Sequence, residues 1–108
     1  MSGKGKYITI NHTDIFNGLC GLKTGEALTL RKDHDNQYDD EAILAYRKHN
    51  VKCGYVANSV GSVARGTLSA GRLYDRFDET LECSVRFIID DSIIAEVESE
   101  EERNNEEL

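Results

Sequence analysis

The sequence contains no proline, and its 108 residues include no long apolar run. Proline makes up about 5% of an average protein. A membrane-spanning helix needs roughly 18–20 consecutive apolar residues, so no transmembrane segment is predicted. The first six residues also lack the apolar stretch and cleavage pattern of a secretory signal. We therefore expect a cytoplasmic protein without a membrane partner.

The sequence also lacks paired cysteine motifs, because its three cysteines, Cys20, Cys53 and Cys83, form no CxxC pair. Their number is odd and their spacing is wide, which argues against a disulfide framework. Cys53 and Cys83 lie in segments of alternating apolar residues, as expected for reduced thiols in a core. The three histidines are equally dispersed and show no zinc-ligand spacing, so no cofactor is predicted.

Acidic residues outnumber basic ones by 20 to 13, so the formal net charge is −7. This charge argues against a general phosphate binder, because non-specific DNA affinity comes from many lysine and arginine contacts. The acidity is concentrated at the end of the chain. From Glu96 onward there are seven acids and one base, whereas residues 1–95 carry a net charge of only −1. The simplest interpretation of this tail is a solvated, frayed end. A less favoured one makes it a competitor for the domain's own basic surface.

The length suits a single compact domain. We expect a flexible N-terminus over residues 1–5, a folded domain over residues 6–97, and an acidic, disordered tail over residues 98–108. Apolar residues make up 39% of the chain and charged residues 31%, which is enough for a modest core.

Alternating apolar residues predict several short strands. The segment Ala42–Tyr46 is apolar on both faces, so it is expected to be a central strand, and Lys48–Asn50 predicts a tight turn after it. The segment 12–19 is predicted to be a loop. The predicted strands are 7–11, 26–31, 42–46, 51–56, 81–89 and 93–95.

One segment changes to a helical period. Val60, Val63, Ala64 and Leu68 would share one face of a helix that is capped by Asn58 or Ser59 and ended by Gly71. The predicted fold class is therefore mainly β (α+β). We expect a small OB-like, partly closed barrel of five to seven strands with one or two helices packed beside it.

The loop from Asp33 to Ile43 is the most informative segment. Asn36, Tyr38 and Asp39 place an amide, an aromatic face and a carboxylate within four residues. Together they could stack a base and accept a hydrogen bond from a sugar hydroxyl. The alternative is structural: Asn36 and Asp39 would stabilise a turn, and Tyr38 would cover the edge of the sheet.

The many acids of this loop do not fit a metal site. An EF-hand starting at Asp33 would need glycine where Tyr38 stands and glutamate where Leu44 stands. A catalytic Mg²⁺ site needs carboxylates that converge from separate strands, and these are consecutive in one loop. We therefore expect no metal site and no enzymatic activity.

The order of these motifs resembles the HIRAN domain. The shared features are a strand ending in Leu-x-Leu-Arg, then Asp-x-x-Asn-x-Tyr-Asp-x-x-Ala-Ile, a strand pair with Gly54-Tyr55-Val56, and a segment ending in Ala70-Gly71. The resemblance covers roughly Ile8 to Val97. HIRAN domains occur at the front of helicase-like chromatin remodellers and as standalone bacterial or phage proteins. The resemblance implies an OB-like barrel that recognises single-stranded DNA, and in one remodeller its free 3′-hydroxyl end.

The resemblance also implies roles for individual residues. Asn36, Tyr38 and Asp39 match the family's Asn-Pro-Tyr-Asp, with Gln37 in place of proline. By that match Asp39 would accept a hydrogen bond from the 3′-hydroxyl, Tyr38 would pack on a base or sugar, and Tyr55 would line the pocket. The family's Arg-Tyr-Tyr near the end of the first strand is replaced here by residues 11–14, Asn-His-Thr-Asp.

The predicted function is thus a non-enzymatic single-stranded DNA-binding module in DNA repair or processing, with the free 3′-hydroxyl end as a candidate target. Arg31, Lys32 and Lys52 would hold phosphates, unless they belong to an ordinary solvated surface. The alternative is a protein–protein interaction module that recruits a helicase or nuclease through a strand edge or the acidic tail. The sequence does not predict the oligomeric state.

Overall fold

A computed structural model of the protein describes residues 6–17, 21–58 and 63–97. The predicted flexible N-terminus, the acidic tail, Cys20 and Val60 lie outside these ranges. None of the helices within them is long and apolar enough to span a bilayer.

The described residues form a closed antiparallel barrel, which confirms the predicted fold class. Its strands follow the order β1-β4-β3-β2-β5-β6, and β6 returns to β1. Two short α-helices and a 3₁₀ turn at Lys48–Asn50 connect them. The helices are α1 (Thr13–Phe16) and α2 (Ala70–Tyr74), and the strands are β1 (Lys6–Asn11), β2 (Ala27–Lys32), β3 (Ile43–Arg47), β4 (Val51–Val56), β5 (Thr80–Ile89) and β6 (Ser92–Val97).

Closure depends on the last strand, and it is complete rather than partial. Ala95 of β6 pairs with Ile8 of β1 on one side and with Val85 of β5 on the other. The side chains that alternate inward along each strand fill the interior, because successive residues of a strand point to opposite faces. Those that are fully buried include Ile8, Ile10, Leu28, Leu30, Ile43, Val85 and Ile93.

Gly54 lets β4 approach β1 and α1 closely. A Cβ atom at this position would lie 2.6 Å from the carbonyl oxygen of Asn11 and 2.8 Å from Cγ2 of Ile10. No side chain fits there, so the glycine permits the pairing that sets Tyr55 opposite Asn11. This contact brings the start of α1 beside β4.

The helix predicted around Val63, Ala64 and Leu68 is wrong for the described residues. Gly66 has φ of +88°, a left-handed conformation that does not continue a right-handed helix. Leu68 instead donates its backbone N–H to Tyr7 O at 2.8 Å. The segment therefore satisfies its backbone against the barrel, and Leu68 packs on the core from an extended conformation.

The α2 helix begins later than predicted. Ser69 is its N-cap, and its Oγ accepts a hydrogen bond from Arg72 N at 3.2 Å, as is typical of serine at this position. Gly71, which was predicted to end the helix, lies inside it.

The predicted loop over residues 12–19 contains the single turn of α1. His12 and Asn17, which flank the turn, both have positive φ. The buried Thr13 donates from Oγ1 to Asp91 O at 2.7 Å. This bond fixes α1 to the turn between β5 and β6.

Candidate binding cleft

The loop between β2 and β3 is closed by backbone hydrogen bonds. Asp33 N donates to Ala42 O at 2.9 Å across the base of the loop, and Asn36 N donates to Asp33 O at 3.2 Å. Ala42 N donates to Asp39 O at 3.2 Å before β3 begins. The loop therefore has a fixed course despite its many charged side chains.

The side chain of Asn36 organises the tip of this loop. Its Oδ1 accepts hydrogen bonds from Tyr38 N at 2.8 Å and from Asp39 N at 2.9 Å. Its Nδ2 donates to Asp33 Oδ2 at 3.4 Å. The turn-forming interpretation of Asn36 is thus correct, because both acceptor sites of its carbonyl are used within the loop. Its contribution to a site is to set the positions of Tyr38 and Asp39.

The carboxylate of Asp39 is anchored but keeps accepting capacity. Oδ1 accepts from Glu41 N at 2.9 Å, and Oδ2 accepts from Asn58 Nδ2 at 3.1 Å. An ionised carboxylate offers about four lone-pair sites, so each oxygen can accept one more hydrogen bond. Asn58 Oδ1 in turn accepts from Gly71 N at 2.8 Å, which ties the loop to α2.

Tyr38 does not cover the edge of the sheet. Its side chain is 95% exposed, although its backbone N–H is held by Asn36. The structural interpretation of this residue is therefore wrong. The phenol ring stands at the cleft with its faces available for stacking.

Tyr55 is half-buried on β4 and forms the floor beside the loop. Its hydroxyl donates to Asp33 Oδ2 at 3.3 Å. The ring contacts Phe16 with centroids 5.9 Å apart and meets the edge of His12 at 6.5 Å. Burial, followed by the nearby Asp33 carboxylate, raises the pKa of Tyr55 above its ordinary value. The hydroxyl therefore remains a neutral donor at physiological pH.

These residues surround one cleft of about 430 Å³. Tyr38 and Asp39 stand on one side, and the end of β1 with α1 forms the other. Asp39 is the one acidic residue in the lining, and no lysine or arginine of the described ranges contributes to it. The lining residues are Asn11, His12, Ile15, Asn36, Tyr38, Asp39, Ala42, Tyr55, Val56, Ala57 and Asn58.

The cleft thus includes four of the seven residues predicted for DNA binding, namely Asn36, Tyr38, Asp39 and Tyr55. The three basic residues lie elsewhere. The ammonium of Lys32 is 4.3 Å from the Tyr74 ring centroid and 5.0 Å from that of Phe77. Cation–π attraction of this kind is worth about 0.5–2 kcal/mol, and it holds the Lys32 charge against α2 and the segment that follows it.

Lys52 and Arg31 extend from the cleft along the outer face of the barrel. Lys52 Nζ is 5.9 Å from the ring centroid of Phe16, which itself packs on Tyr55. Tyr46 pairs with Lys52 across β3 and β4, and the guanidinium of Arg31 lies 4.7 Å above the Tyr46 ring. We call these five residues, Tyr55, Phe16, Lys52, Tyr46 and Arg31, the outer strip.

Several cleft residues were not predicted from the sequence. Ile15 is 62% exposed at the wall, and Asn58 reaches Asp39 from the far end of β4. Nothing local marks either residue, because their roles depend on strand pairings distant in sequence. The position of His12 could be recognised from the sequence, because the HIRAN resemblance aligns the family's Arg-Tyr-Tyr with residues 11–14.

The described residues bring no three histidine, cysteine, aspartate or glutamate side chains together in a metal-binding arrangement. Asp33 and Asp39 are each engaged in separate hydrogen bonds.

The fold and the cleft define a small closed barrel with a polar and aromatic pocket at one end of its sheet. No protein-family model matches the chain, and neither does any curated protein. Among solved structures, a crystal structure of a protein from Lactobacillus plantarum, determined by a structural genomics consortium, is similar to it. The TM-score is 0.59 and the identity 25%, over 85% of this chain and 88% of that one. The likeness supports the fold and carries no function with it.

Proposed function

We propose that the protein is a non-enzymatic module that captures the 3′-hydroxyl end of single-stranded DNA during repair or processing in the cytoplasm. The observation that carries the proposal is the meeting of Tyr38, Asp39 and Tyr55 around one cleft. The resemblance to HIRAN domains gives independent support, because it assigns the same three positions to a DNA-end pocket.

The terminal nucleoside would occupy the cleft, whose volume of about 430 Å³ falls in the usual range of about 300–1,000 Å³ for ligand sites. Its base would stack on the exposed ring of Tyr38. The 3′-hydroxyl would donate to one of the remaining acceptor sites of Asp39. A 3′-phosphate would meet the same carboxylate as a like charge, so the site would discriminate between the two ends.

The rest of the strand would follow the outer strip. Phe16 and Tyr46 offer ring surfaces, and Lys52 and Arg31 lie beside them for the phosphates. Lys32 would contribute mainly through its electrostatic field, because its ammonium packs against Tyr74 and Phe77, away from the outer strip. Two phosphate contacts predict weak, micromolar binding whose logarithm falls with log salt at a slope of about −1.4.

Fluorescence anisotropy with short labelled oligonucleotides tests this proposal. Wild-type protein should prefer a 3′-hydroxyl over a 3′-phosphate. Asp39→Asn should abolish the preference, because the amide neither repels phosphate nor offers two acceptors. Asp40→Asn is the matched control, since it removes the same charge from an exposed neighbour that does not line the cleft. Equal affinity of the wild-type protein for the two ends would refute end capture.

Tyr38 supplies a second test. Tyr38→Ala should weaken binding roughly fivefold to 150-fold, since base–aromatic stacking is worth about 1–3 kcal/mol per base. Tyr38→Phe should bind like wild type, because the ring remains. Neither change should alter the unfolding midpoint, given the 95% exposure of the side chain. Undiminished binding by Tyr38→Ala would exclude stacking on this ring.

The second candidate is a protein-interaction module that recruits a helicase or nuclease. It is favoured by the charge of the loop over residues 33–41, which holds five acids and no lysine or arginine and suits a basic protein segment. Closure of the barrel leaves little strand edge for recruitment. This candidate would be favoured if the protein bound no oligonucleotide at low salt but did bind a lysine-rich peptide under the same conditions.

A further inference from the structure

A short stretch of β5 has no strand beside one of its edges among the described residues. The pairing of β2 with β5 runs from Thr80 to Ser84, and Val85 completes it through backbone bonds to Gly25 and Glu26. Beyond Val85, no strand of the described ranges pairs with that side of β5. Residues 86–89 therefore have β6 on one side and an open edge on the other.

The polar backbone groups of Ile88 point to this open edge. Ile89 and Ser92 flank the two-residue turn at Asp90-Asp91, and such flanking residues form the first hydrogen-bonded pair of a hairpin. Ile88 and Ile93 form the next pair. Because hydrogen-bonded and non-hydrogen-bonded pairs alternate along an antiparallel ladder, these two residues exchange no backbone hydrogen bonds. The N–H and C=O of Ile88 must face away from β6, where nothing in the described chain meets them.

The side chains along this edge are apolar and exposed. Phe87 is 57% exposed, Ile89 is 55% exposed and Ile88 is 36% exposed. Folded proteins usually protect such an edge with charged residues, proline, a β-bulge or a covering segment. The register of β5 against β6 shifts between Val85 and Phe87, so a bulge at Arg86 borders this edge, while residues 87–89 themselves carry no charge and no proline. Arg86 is the flanking cation, and its guanidinium reaches Glu96 at 2.7 Å on β6.

We propose that this edge pairs with the same edge of a second copy of the chain. An antiparallel pairing of two β5 strands centred on Ile88 makes the Ile88 residues exchange both backbone hydrogen bonds. The same register sets Phe87 opposite Ile89 of the second copy. Arg86, at the bulge, and Asp90, at the left-handed start of the turn, flank this three-residue ladder, so opposite charges of the two copies lie near each other at both of its ends.

The occupant is inferred from this self-complementarity. A two-fold axis through the Ile88 pair repeats each contact twice, as an isologous dimer requires. The ladder is short, so the dimer should be weak and populated only at high protein concentration. The edge is distinct from the binding cleft, because none of residues 86–90 lines it.

Sedimentation velocity on the full chain, from micromolar to near-millimolar concentration, tests the inference. Wild-type protein should pass from monomer to dimer. Arg86→Glu and Asp90→Lys should each weaken dimerisation roughly tenfold or more, because like charges opposite one another destabilise strand pairing and each contact occurs twice. An equimolar mixture of the two variants should dimerise again, since the introduced glutamate then meets the introduced lysine and the other pair remains native.

The mixture also separates loss of pairing from loss of folding, because misfolded variants would not recover. Amide exchange at Ile88 should slow as wild-type concentration rises. A wild-type chain that stays monomeric over the whole range would overturn the inference, as would a dimer that both variants leave intact. A mixture no more dimeric than its components would also overturn the proposed register.

Discussion

Replacing Gly54 with alanine should destabilise the protein severely by the addition of one methyl group. The new Cβ would lie 2.6 Å from Asn11 O, 2.8 Å from Ile10 Cγ2 and 3.2 Å from Thr13 Cγ2. The first neighbour is backbone and the other two belong to buried side chains. None of them can rotate away, so β4 must move from β1 or α1 must shift.

The cost follows from the rigidity of these neighbours. Overpacking of a core typically costs about 1–3 kcal/mol, and contacts below 3 Å with a backbone atom place Gly54→Ala in the upper half of that range. A domain of this size loses about 4–8 °C in melting temperature per kcal/mol. We therefore expect a loss of about 2–3 kcal/mol in unfolding free energy and a fall of about 10–20 °C in Tm.

Urea unfolding followed by circular dichroism measures this loss, and Gly71→Ala is the matched control. A Cβ at Gly71 would lie 2.6 Å from Glu41 Oε1 and 3.2 Å from Asn58 Oδ1. Glu41 is exposed and its carboxylate can swing aside, and Asn58 must give way by only a few tenths of an ångström. Alanine is also the better helix former by about 1 kcal/mol, so the control should stay within about 0.5 kcal/mol of wild type. Equal stability of the two variants would refute the close-approach argument.

Three further experiments test the core, a partly buried ion pair and a buried thiol. Leu73→Ala should cost about 2–5 kcal/mol in urea unfolding, because it leaves a cavity beneath α2; a loss under 1 kcal/mol would contradict its place in the core. The hydrogen bond from Arg47 lowers the pKa of Glu26 below its ordinary value, so this carboxylate stabilises the fold above its unfolded pKa and loses that effect as pH falls through the folded one. Glu26→Gln should therefore be about 1–2 kcal/mol less stable at neutral pH, with the gap closing in acid; a gap independent of pH would refute the assignment. Burial raises the pKa of Cys53 to about 11, so at pH 8 its thiolate should be roughly a hundredfold scarcer than in the unfolded chain, and disulfide-exchange reagents should label it slowly in a variant with Cys20 and Cys83 replaced by alanine. Because the unfolded thiol loses its proton first, stability should fall as pH rises from about 9 towards 11, which unfolding at pH 8 and pH 10 will measure.

The strands could be predicted from the sequence because apolar and polar residues alternate along them, one set facing the barrel interior and the other facing outward. The run from Leu81 to Ile89 shows this, and it forms β5 almost to the residue. The helix prediction failed because the spacing of Val63, Ala64 and Leu68 specifies only that apolar side chains must be buried. A hydrogen bond to Tyr7 and the left-handed Gly66 fulfil that need without a helix.

The candidate cleft was only partly predictable for a related reason. Asn36, Tyr38 and Asp39 are close in sequence, so their proximity could be anticipated. Asn58 and Ile15 reach the same cleft through the pairing of β4 with β1 and through α1. The basic residues diverge because Arg31 and Lys32 are adjacent on one strand and must point to opposite faces.

Asn58 joins the cleft to a part of the molecule that a ligand would not touch. Its side chain donates to Asp39 Oδ2 and accepts from Gly71 N, so the side-chain amide of Asn58 links the loop to α2 through two hydrogen bonds. A new hydrogen bond from a ligand to Asp39 would change the strength of the Asn58–Asp39 and Gly71–Asn58 hydrogen bonds, because linked hydrogen bonds polarise one another. The amide resonance of Gly71, observed in ¹⁵N-labelled protein, therefore reports occupancy of the cleft without a dye or other attached probe on either partner.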